Sequence, residues 1–226
     1  ITAVREKNIR GLSVTMPLKE AVIPYLDGLT ETASKLNAVN CVFWDGGDLI
    51  GDNTDGDGFV NALKLQLNEP LNGKTVAIIG AGGAARSIIN SLGDNPVKEI
   101  IVVNRSNPKA EKAAYLGGPN ARVGSYGDLT ACDIVVNSTP LGMAGTSEEA
   151  MLPVPVEFLS STQTVIDLVY NPIETELLRQ AKGLGARTFS GLGMLIHQAL
   201  LQFLLWTGLN TSIEGIESVV SDAVGR

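Results

Sequence analysis

Apolar positions along the chain follow two alternating rhythms. Short β-branched or apolar runs fill residues 12–15, 75–79, 99–103, 133–137, 164–168 and 187–189, each bounded by turn formers, and read as strands, the first of them a buried one. Helical spacing fills 19–26, 30–35, 56–67, 87–92, 192–206 and 212–224, with residues 1–8 as the end of a further helix. Residues 38–44 and 49–51 form a predicted hairpin across Asp45-Gly46-Gly47-Asp48, where glycine supplies positive φ. From residue 75 onward strands and helices alternate, which predicts a parallel sheet with right-handed crossovers and helices on both faces. The stretch Asn68-Glu69-Pro70-Leu71-Asn72-Gly73 is polar and rich in chain breakers, marking a linker between a small N-terminal unit and a larger one. The fold class is α/β.

Composition narrows the function without naming it. At 226 residues the chain holds one large domain or two small ones. A net charge of −7 argues against a binder of nucleic-acid phosphates or of anionic membranes. The apolar run at 192–209 is interrupted by His197, Gln198 and Gln202 and falls short of the ~20 mostly apolar residues of a spanning helix. It reads as a helix buried in protein. The first ten residues carry four charges and no apolar core, so they form neither a signal peptide nor an anchor. Two cysteines, Cys41 and Cys132, make no disulfide framework and have no metal-ligand spacing, which points to a cytoplasmic protein without a metal site. The chain opens on Ile1 inside a helical stretch, so a piece of a longer protein is expected.

One motif carries recognisable chemistry. The strand at 75–79 runs directly into Gly80-Ala81-Gly82-Gly83-Ala84-Ala85-Arg86 and then into an apolar helix. This fits the G-x-G-x-x-G/A pattern of a dinucleotide-binding turn: Gly80 permits the turn, Gly82 lets backbone approach a pyrophosphate, and Ala85 allows the helix to pack close on the strand. Phosphates would rest on the helix N-terminus, whose free N–H groups and dipole favour anions. An ordinary βα turn is the plainer alternative for a lone glycine pattern. The second strand ends in Val103-Asn104-Arg105-Ser106-Asn107-Pro108-Lys109, which offers no carboxylate to a ribose 2′-hydroxyl. Arg105 suits the adenine face and a bidentate 2′-phosphate, while Ser106 adds a hydroxyl and Lys109 a cation. These residues predict NADP over NAD, against the alternative that Arg105 and Lys109 are solvated surface charges.

Seven segments have more specific content than their length suggests. They are Leu12-Ser13-Val14-Thr15-Met16-Pro17-Leu18-Lys19, Asn37-Ala38-Val39-Asn40, Gly51-Asp52-Asn53-Thr54-Asp55-Gly56, the glycine turn, Asn137-Ser138-Thr139-Pro140-Leu141-Gly142-Met143, Asp167-Leu168-Val169-Tyr170-Asn171-Pro172, and Gly191-Leu192-Gly193-Met194-Leu195-Ile196-His197-Gln198. In this order, over essentially the whole chain, they closely resemble the shikimate dehydrogenase family. The resemblance implies that Lys19 and Asp55 form a catalytic pair and that Thr15, Asn40 and Gln198 hold hydroxyls of the substrate ring. Tyr170 and Gly191 would line the nicotinamide region, with Gly80, Ala81, Gly82, Gly83, Ala84, Asn104, Arg105, Ser106 and Lys109 along the rest of the cofactor. It further implies reduction of 3-dehydroshikimate to shikimate with NADPH, on the route to aromatic amino acids. The implied layout is a substrate domain at 1–67, an NADP-binding Rossmann domain at 73–190, and C-terminal helices at 191–226 that pack back on the substrate domain. Quinate, with one more ring hydroxyl, is the alternative substrate. A non-catalytic NADP-binding relative is the alternative from another class, and it would need neither Lys19 nor Asp55. Oligomeric state is not legible from the sequence.

Elementary chemistry asks for the same residue types. Hydride transfer to a ketone builds negative charge on oxygen, so a cation with a transferable proton belongs within hydrogen-bond reach, and Lys19 beside Asp55 meets that need. Plainer readings stand beside each residue. Lys19 follows a proline turn and taken alone reads as a surface lysine, and Gln198 in an apolar helix is able to bond only its own backbone. The run Asp52-Asn53-Thr54-Asp55-Gly56 offers helix caps and resembles part of a calcium loop, but the glutamate such a loop needs is missing. His197 has no acidic or serine partner in any motif and reads as structural or exposed. Met194, Phe203 and Trp206 read as core, and Cys41 as a buried thiol.

The chain departs from the family pattern at its start. The family ordinarily opens with a strand, a loop carrying a Ser-x-Ser pair for the substrate carboxylate, and a helix. None of these stands in this sequence, so the 226 residues alone are expected to bind shikimate weakly. Pro108 inside the 2′-phosphate segment and Lys109 in place of a common arginine predict softer discrimination.

Overall fold

In a computed structural model of the chain, residues 1–6 and 9–224 are described, and the last two residues of the first predicted helix, Lys7 and Asn8, lie outside them. The helix α1 (Thr2–Glu6) precedes the strand β1 (Gly11–Ser13), the short helix α2 (Leu18–Ala21), β2 (Gly28–Leu29), α3 (Glu31–Leu36), β3 (Cys41–Asp45) and β4 (Asp48–Asp52). These strands form a four-stranded sheet in the order β1-β3-β4-β2. The β3–β4 hairpin closes on paired Asp45 and Asp48, and the two residues between them, Gly46 and Gly47, have φ of +57° and +101°. Positive φ at both turn positions matches the strand twist and restricts them to glycine or a close substitute. Val14, Val22, Ala33, Val39, Val42 and Leu49 fill the core against this sheet.

A long helix, α4 (Asp55–Leu67), leads to the second sheet, built from β5 (Thr75–Ile79), α5 (Gly83–Gly93), β6 (Glu99–Val103), α6 (Asn107–Leu116), β7 (Ala121–Val123), β8 (Ile134–Asn137), β9 (Thr164–Asp167), α7 (Glu176–Gly183) and β10 (Arg187–Ser190). All six strands run parallel, in the order β10-β9-β8-β5-β6-β7. Val76 and Ile78 face one core with Phe59 and Leu63 of α4 and Ile88 and Ile89 of α5, whereas Ala77 and Ile79 face another with Leu177, Leu178 and Ala181 of α7. Burial on both faces is why these strands are continuous apolar runs. The strand order reverses between β5 and β8, and such a reversal opens a crevice at the carboxyl ends of the strands.

The helices α8 (Leu192–Thr207) and α9 (Ile216–Val224) close the chain. α8 lies tight along α4: a Cβ on Gly58 would come within 2.6 Å of the Gln198 backbone nitrogen. α4 is equally close to α5, where a Cβ on Gly56 would stand 2.2 Å from the Ser87 carbonyl oxygen. α4 thus joins the two sheets. Among the described residues no helix is long and apolar enough to cross a membrane.

Several elements differ from the sequence reading. Among the described residues β1 lies at the edge of its sheet, with Leu12 half-buried and Ser13 exposed, because there only β3 pairs with it. The predicted helix at 19–26 breaks after α2 into a single tight turn at Ile23–Tyr25, where Pro24 removes an N–H. β2 and β7 are additional to the predicted strands; two or three residues carry no period. The last helix starts at Ile216, four residues later than expected. Met194 and Phe203 cannot share a core face, since they are about two and a half turns apart on α8. Met194 packs on the core around Phe59 and Leu63 as expected and also lines a cleft, whereas Phe203 is exposed and half-buried Trp206 donates its indole N–H to Val42 O at 3.0 Å. Burial pushes the Cys41 thiol up to about 12 and that of Cys132 to about 11, as befits core thiols.

Candidate active site

Backbone bonds place the first cluster. Val14 donates its N–H to Asn40 O at 2.7 Å and Val39 donates to Lys19 O at 2.8 Å, which tucks the start of α2 against the segment that leads through Asn40 into β3. β4 then delivers Asp55 as the first residue of α4, where the helix dipole favours a carboxylate. Lys19 Nζ lies 2.5 Å from Asp55 Oδ2, with side chains 22 % and 9 % exposed. Asn40 Nδ2 donates to the other oxygen, Asp55 Oδ1, at 2.7 Å, and Asn40 Oδ1 accepts the Thr54 N–H at 2.8 Å. The carboxylate is therefore held on both oxygens, one by a cation and one by an amide.

α8 supplies the rest. Gln198 Oε1 lies 3.4 Å from Asn40 Nδ2 and accepts from Gln202 Nε2 at 2.7 Å, while Gln198 Nε2 donates to Leu195 O at 2.8 Å. The Thr54 hydroxyl crosses to the Gln198 carbonyl at 3.1 Å instead of capping α4. Capping falls to Asn53, whose Oδ1 accepts the Asp55 N–H at 3.2 Å and the Ser87 hydroxyl of α5 at 3.2 Å. Asn53, Thr54, Ser87 and Gln202 are supports to which the sequence assigns no role in the site. Asn53 and Thr54 stand in a run legible as helix caps, and Gln202 stands one helical turn from Gln198 in an apolar helix.

A cleft of about 280 Å³ brings these residues to the other sheet. Thr15, Lys19, Asn40 and Asp55 line one side, Met194, Leu195 and Gln198 the floor, and Ala84, Leu168, Tyr170 and Gly191 the other side. Gly191 is glycine for a steric reason: a Cβ there would stand 2.1 Å from the Leu168 carbonyl oxygen.

The glycine turn occupies the end of β5. Gly80 has φ +113°, donates its N–H to Val103 O at 2.8 Å, and faces the Ser138 hydroxyl 2.6 Å from where a Cβ would be. Gly82 and Gly83 open the N-terminus of α5, and a Cβ on either would meet nothing within 4 Å. That open cradle over a helix N-terminus fits a dinucleotide pyrophosphate. Ala85 is buried against the sheet, as close packing of α5 requires. At the end of β6, Arg105 and Lys109 are exposed, and no hydrogen bond or ion pair among the described residues engages either side chain. Asn104 Nδ2 donates to Ser106 O at 3.0 Å, and the Ser106 hydroxyl makes no capping bond. Pro108 sits in the first turn of α6, where its missing N–H costs no helix bond, so it leaves this segment intact. This group lies along the sheet edge beyond the cleft. A surface ion pair also joins the two sides outside the cleft: Arg86 of α5 is 3.1 Å from Glu20, the neighbour of Lys19.

Comparison with known proteins agrees in order and extent. Residues 1–42 match the shikimate dehydrogenase substrate binding domain, 62–173 match shikimate / quinate 5-dehydrogenase, and 191–220 match the shikimate 5'-dehydrogenase C-terminal domain. The shikimate dehydrogenase (NADP(+)) of Geobacillus kaustophilus is 39 % identical over 100 % of this chain and 83 % of its own length. The chain belongs to the shikimate dehydrogenase family. A solved shikimate dehydrogenase in complex with NADP+ superposes with a TM-score of 0.91 at 35 % identity, covering 100 % of this chain and 80 % of that one. The shikimate 5-dehydrogenase of Thermus thermophilus, in complex with NADP(H) and shikimate, gives 0.86 at 36 % identity, covering 97 % and 81 %. As a family member the protein is an oxidoreductase with a mixed α/β fold and a parallel six-stranded sheet.

Proposed function

We propose that the protein catalyses the NADP-dependent, reversible reduction of 3-dehydroshikimate to shikimate, with Lys19 and Asp55 as its acid–base pair. The observation that carries this reading is the 2.5 Å Lys19–Asp55 contact on one side of a cleft whose opposite side includes Ala84 of the glycine turn. When bound, the dinucleotide supplies hydride to the substrate carbonyl or accepts it from the alcohol. Lys19 Nζ holds the proton that the carbonyl oxygen takes as charge develops there, and returns to the ammonium form from solvent. Asp55 fixes the ammonium through Oδ2, and Asn40 on Oδ1 keeps that carboxylate from turning away. Thr15, Asn40 and Gln198 bond the ring hydroxyls. Tyr170 and Gly191 flank the nicotinamide end, and Gly80 to Ala84 hold the pyrophosphate.

Arg105, Ser106 and Lys109 hold the 2′-phosphate and favour NADP over NAD. Residues 1–67 act as the substrate domain and 73–190 as the cofactor domain, with 191–226 returning α8 to the substrate side. The reaction runs in the cytoplasm, where buried free thiols such as Cys41 and Cys132 stay reduced. The test is NADP reduction with shikimate and quinate in parallel, by this chain and by a chain extended to the length of its relatives. Turnover of shikimate supports the reading, and loss of turnover in Lys19→Ala assigns the proton to that residue. Full turnover in that variant removes Lys19 from the mechanism.

A further inference from the structure

The Asp167 carboxyl, at the carboxyl end of β9, is completely buried and has no part in the chemistry above. Its partners come from three segments. Asn137 Nδ2, at the end of β8, donates to Oδ1 at 2.8 Å and the Val169 N–H donates to the same oxygen at 3.1 Å; the Thr175 hydroxyl, at the start of α7, donates to Oδ2 at 2.6 Å. Asn137 passes the connection on: its Oδ1 accepts the Thr139 N–H at 2.9 Å and the Thr139 hydroxyl at 2.7 Å, and its Nδ2 also reaches Leu141 O at 3.3 Å. Two loops are thereby tied to one carboxylate. Both reach the cofactor side of the cleft, for Leu168 and Tyr170 line it and Ser138 backs Gly80.

Stability alone does not account for this group. A buried carboxylate is costly to desolvate, and an apolar side chain of similar volume is often as stabilising or more so. Burial pushes the Asp167 carboxyl up, and the bonds from Thr175, Val169 and Asn137 draw it back down. All three donate to the carboxylate; Asn137 Nδ2 and the Val169 N–H are able only to donate, while the Thr175 hydroxyl is able to do either.

We propose that Asp167 is a positioning residue for the cofactor: it locks the loops at 138–142 and 168–172 into one wall, against which the nicotinamide end of NADP rests opposite Lys19. The inference deepens the proposed function and rests on its reading of the cleft. The test is Asp167→Asn, followed by NADPH fluorescence titration, separate KM values for NADP and shikimate, and the melting temperature. The amide removes the charge and cannot accept the Thr175 hydroxyl proton, so the bonds to Asn137 and Val169 lose their charge assistance and the bond to Thr175 must reverse. NADPH affinity is expected to fall roughly tenfold, with the NADP KM rising to match and the shikimate KM within about twofold. A folded variant with unchanged NADPH affinity overturns the proposal. If Asp167→Asn fails to fold, Thr139→Val removes one link at the half-buried end of the same network. It is expected to weaken NADPH by about threefold at unchanged melting temperature, and unaltered affinity there overturns the proposal equally. A wild-type chain that binds no NADPH would instead overturn the functional reading beneath it.

Discussion

The two walls of the cleft are built on opposite principles. The wall that continues from Ala84 out of the cleft, at β5 and α5, is made of absent side chains: Gly80 at φ +113°, then Gly82 and Gly83 leaving open space above a helix N-terminus. The wall at Lys19 and Asp55 is a lattice of side chains, in which Asn40, Thr54, Gln198 and Gln202 are each bonded to a neighbour. The first surface is damaged by adding atoms and the second by removing them. A backbone site suits a charge pattern common to many dinucleotides, whereas a side-chain lattice holds an ammonium at one place. In the function proposed, their difference divides binding from chemistry.

The largest test of that division is Lys19→Ala. With the proton donor gone and the lattice around it otherwise intact, kcat is expected to fall about a hundredfold to a thousandfold, while the shikimate KM stays within about threefold. Initial rates against shikimate at saturating NADP separate the two parameters. A large rise in KM with kcat retained would make Lys19 a binding group and erase the distinction between the walls.

Added atoms give the next contrast. Gly82→Ala meets open space, so the melting temperature should hold while NADPH affinity drops about tenfold or more, because the methyl stands where phosphate must approach. Gly56→Ala meets the Ser87 carbonyl oxygen at 2.2 Å and must push α4 from α5. Overpacking of this kind costs about 1–3 kcal/mol, several degrees in melting temperature for a chain of this size. Calorimetry and fluorescence titration on both variants read the split directly. Equal losses of stability would show that the cradle at Gly82 is already filled by protein.

Arg105→Gln probes the far end of the backbone wall. A charge-assisted bond to a 2′-phosphate is worth about 1.5–3 kcal/mol, so the ratio of kcat/KM for NADP over NAD should fall between roughly tenfold and a hundredfold. NAD kinetics should barely change. An unchanged ratio would leave Arg105 a surface charge.

The two walls also differ in how much the sequence discloses. Strand β5 is legible because a strand buried on both faces is apolar throughout, and the glycine turn because Gly80, Gly82 and Gly83 follow the strand at the spacing of a dinucleotide-binding turn. β2 and β7 are not, since their pairing partners, not their own residues, define them. Lys19, Asn40, Asp55 and Gln198 stand out through family likeness, and their meeting in one cleft depends on pairs up to 158 residues apart. Asn53 bonding Ser87 and Thr54 bonding Gln198 leave no trace in local pattern, because each depends on how closely α4 packs with α5 and α8. Thr54 itself looks like an ordinary helix cap.

The smallest effect concerns the contact that joins the walls at the surface. Arg86 follows the glycine turn on α5, and Glu20 follows Lys19 on α2, so their 3.1 Å pair ties the segment of the glycine turn to that of Lys19. Glu20 is 61 % exposed, and pairs of that exposure are worth about 0.2–1 kcal/mol. Glu20→Gln should therefore lower kcat/KM by no more than about fivefold at low salt. Screening shortens the reach of surface charges, so the difference from wild type should vanish near 1 M salt, where the Debye length is about 3 Å. A loss that persists at high salt would mean that Glu20 acts through Lys19 rather than Arg86, and the pair would then belong to the side-chain lattice instead of bridging it to the backbone wall.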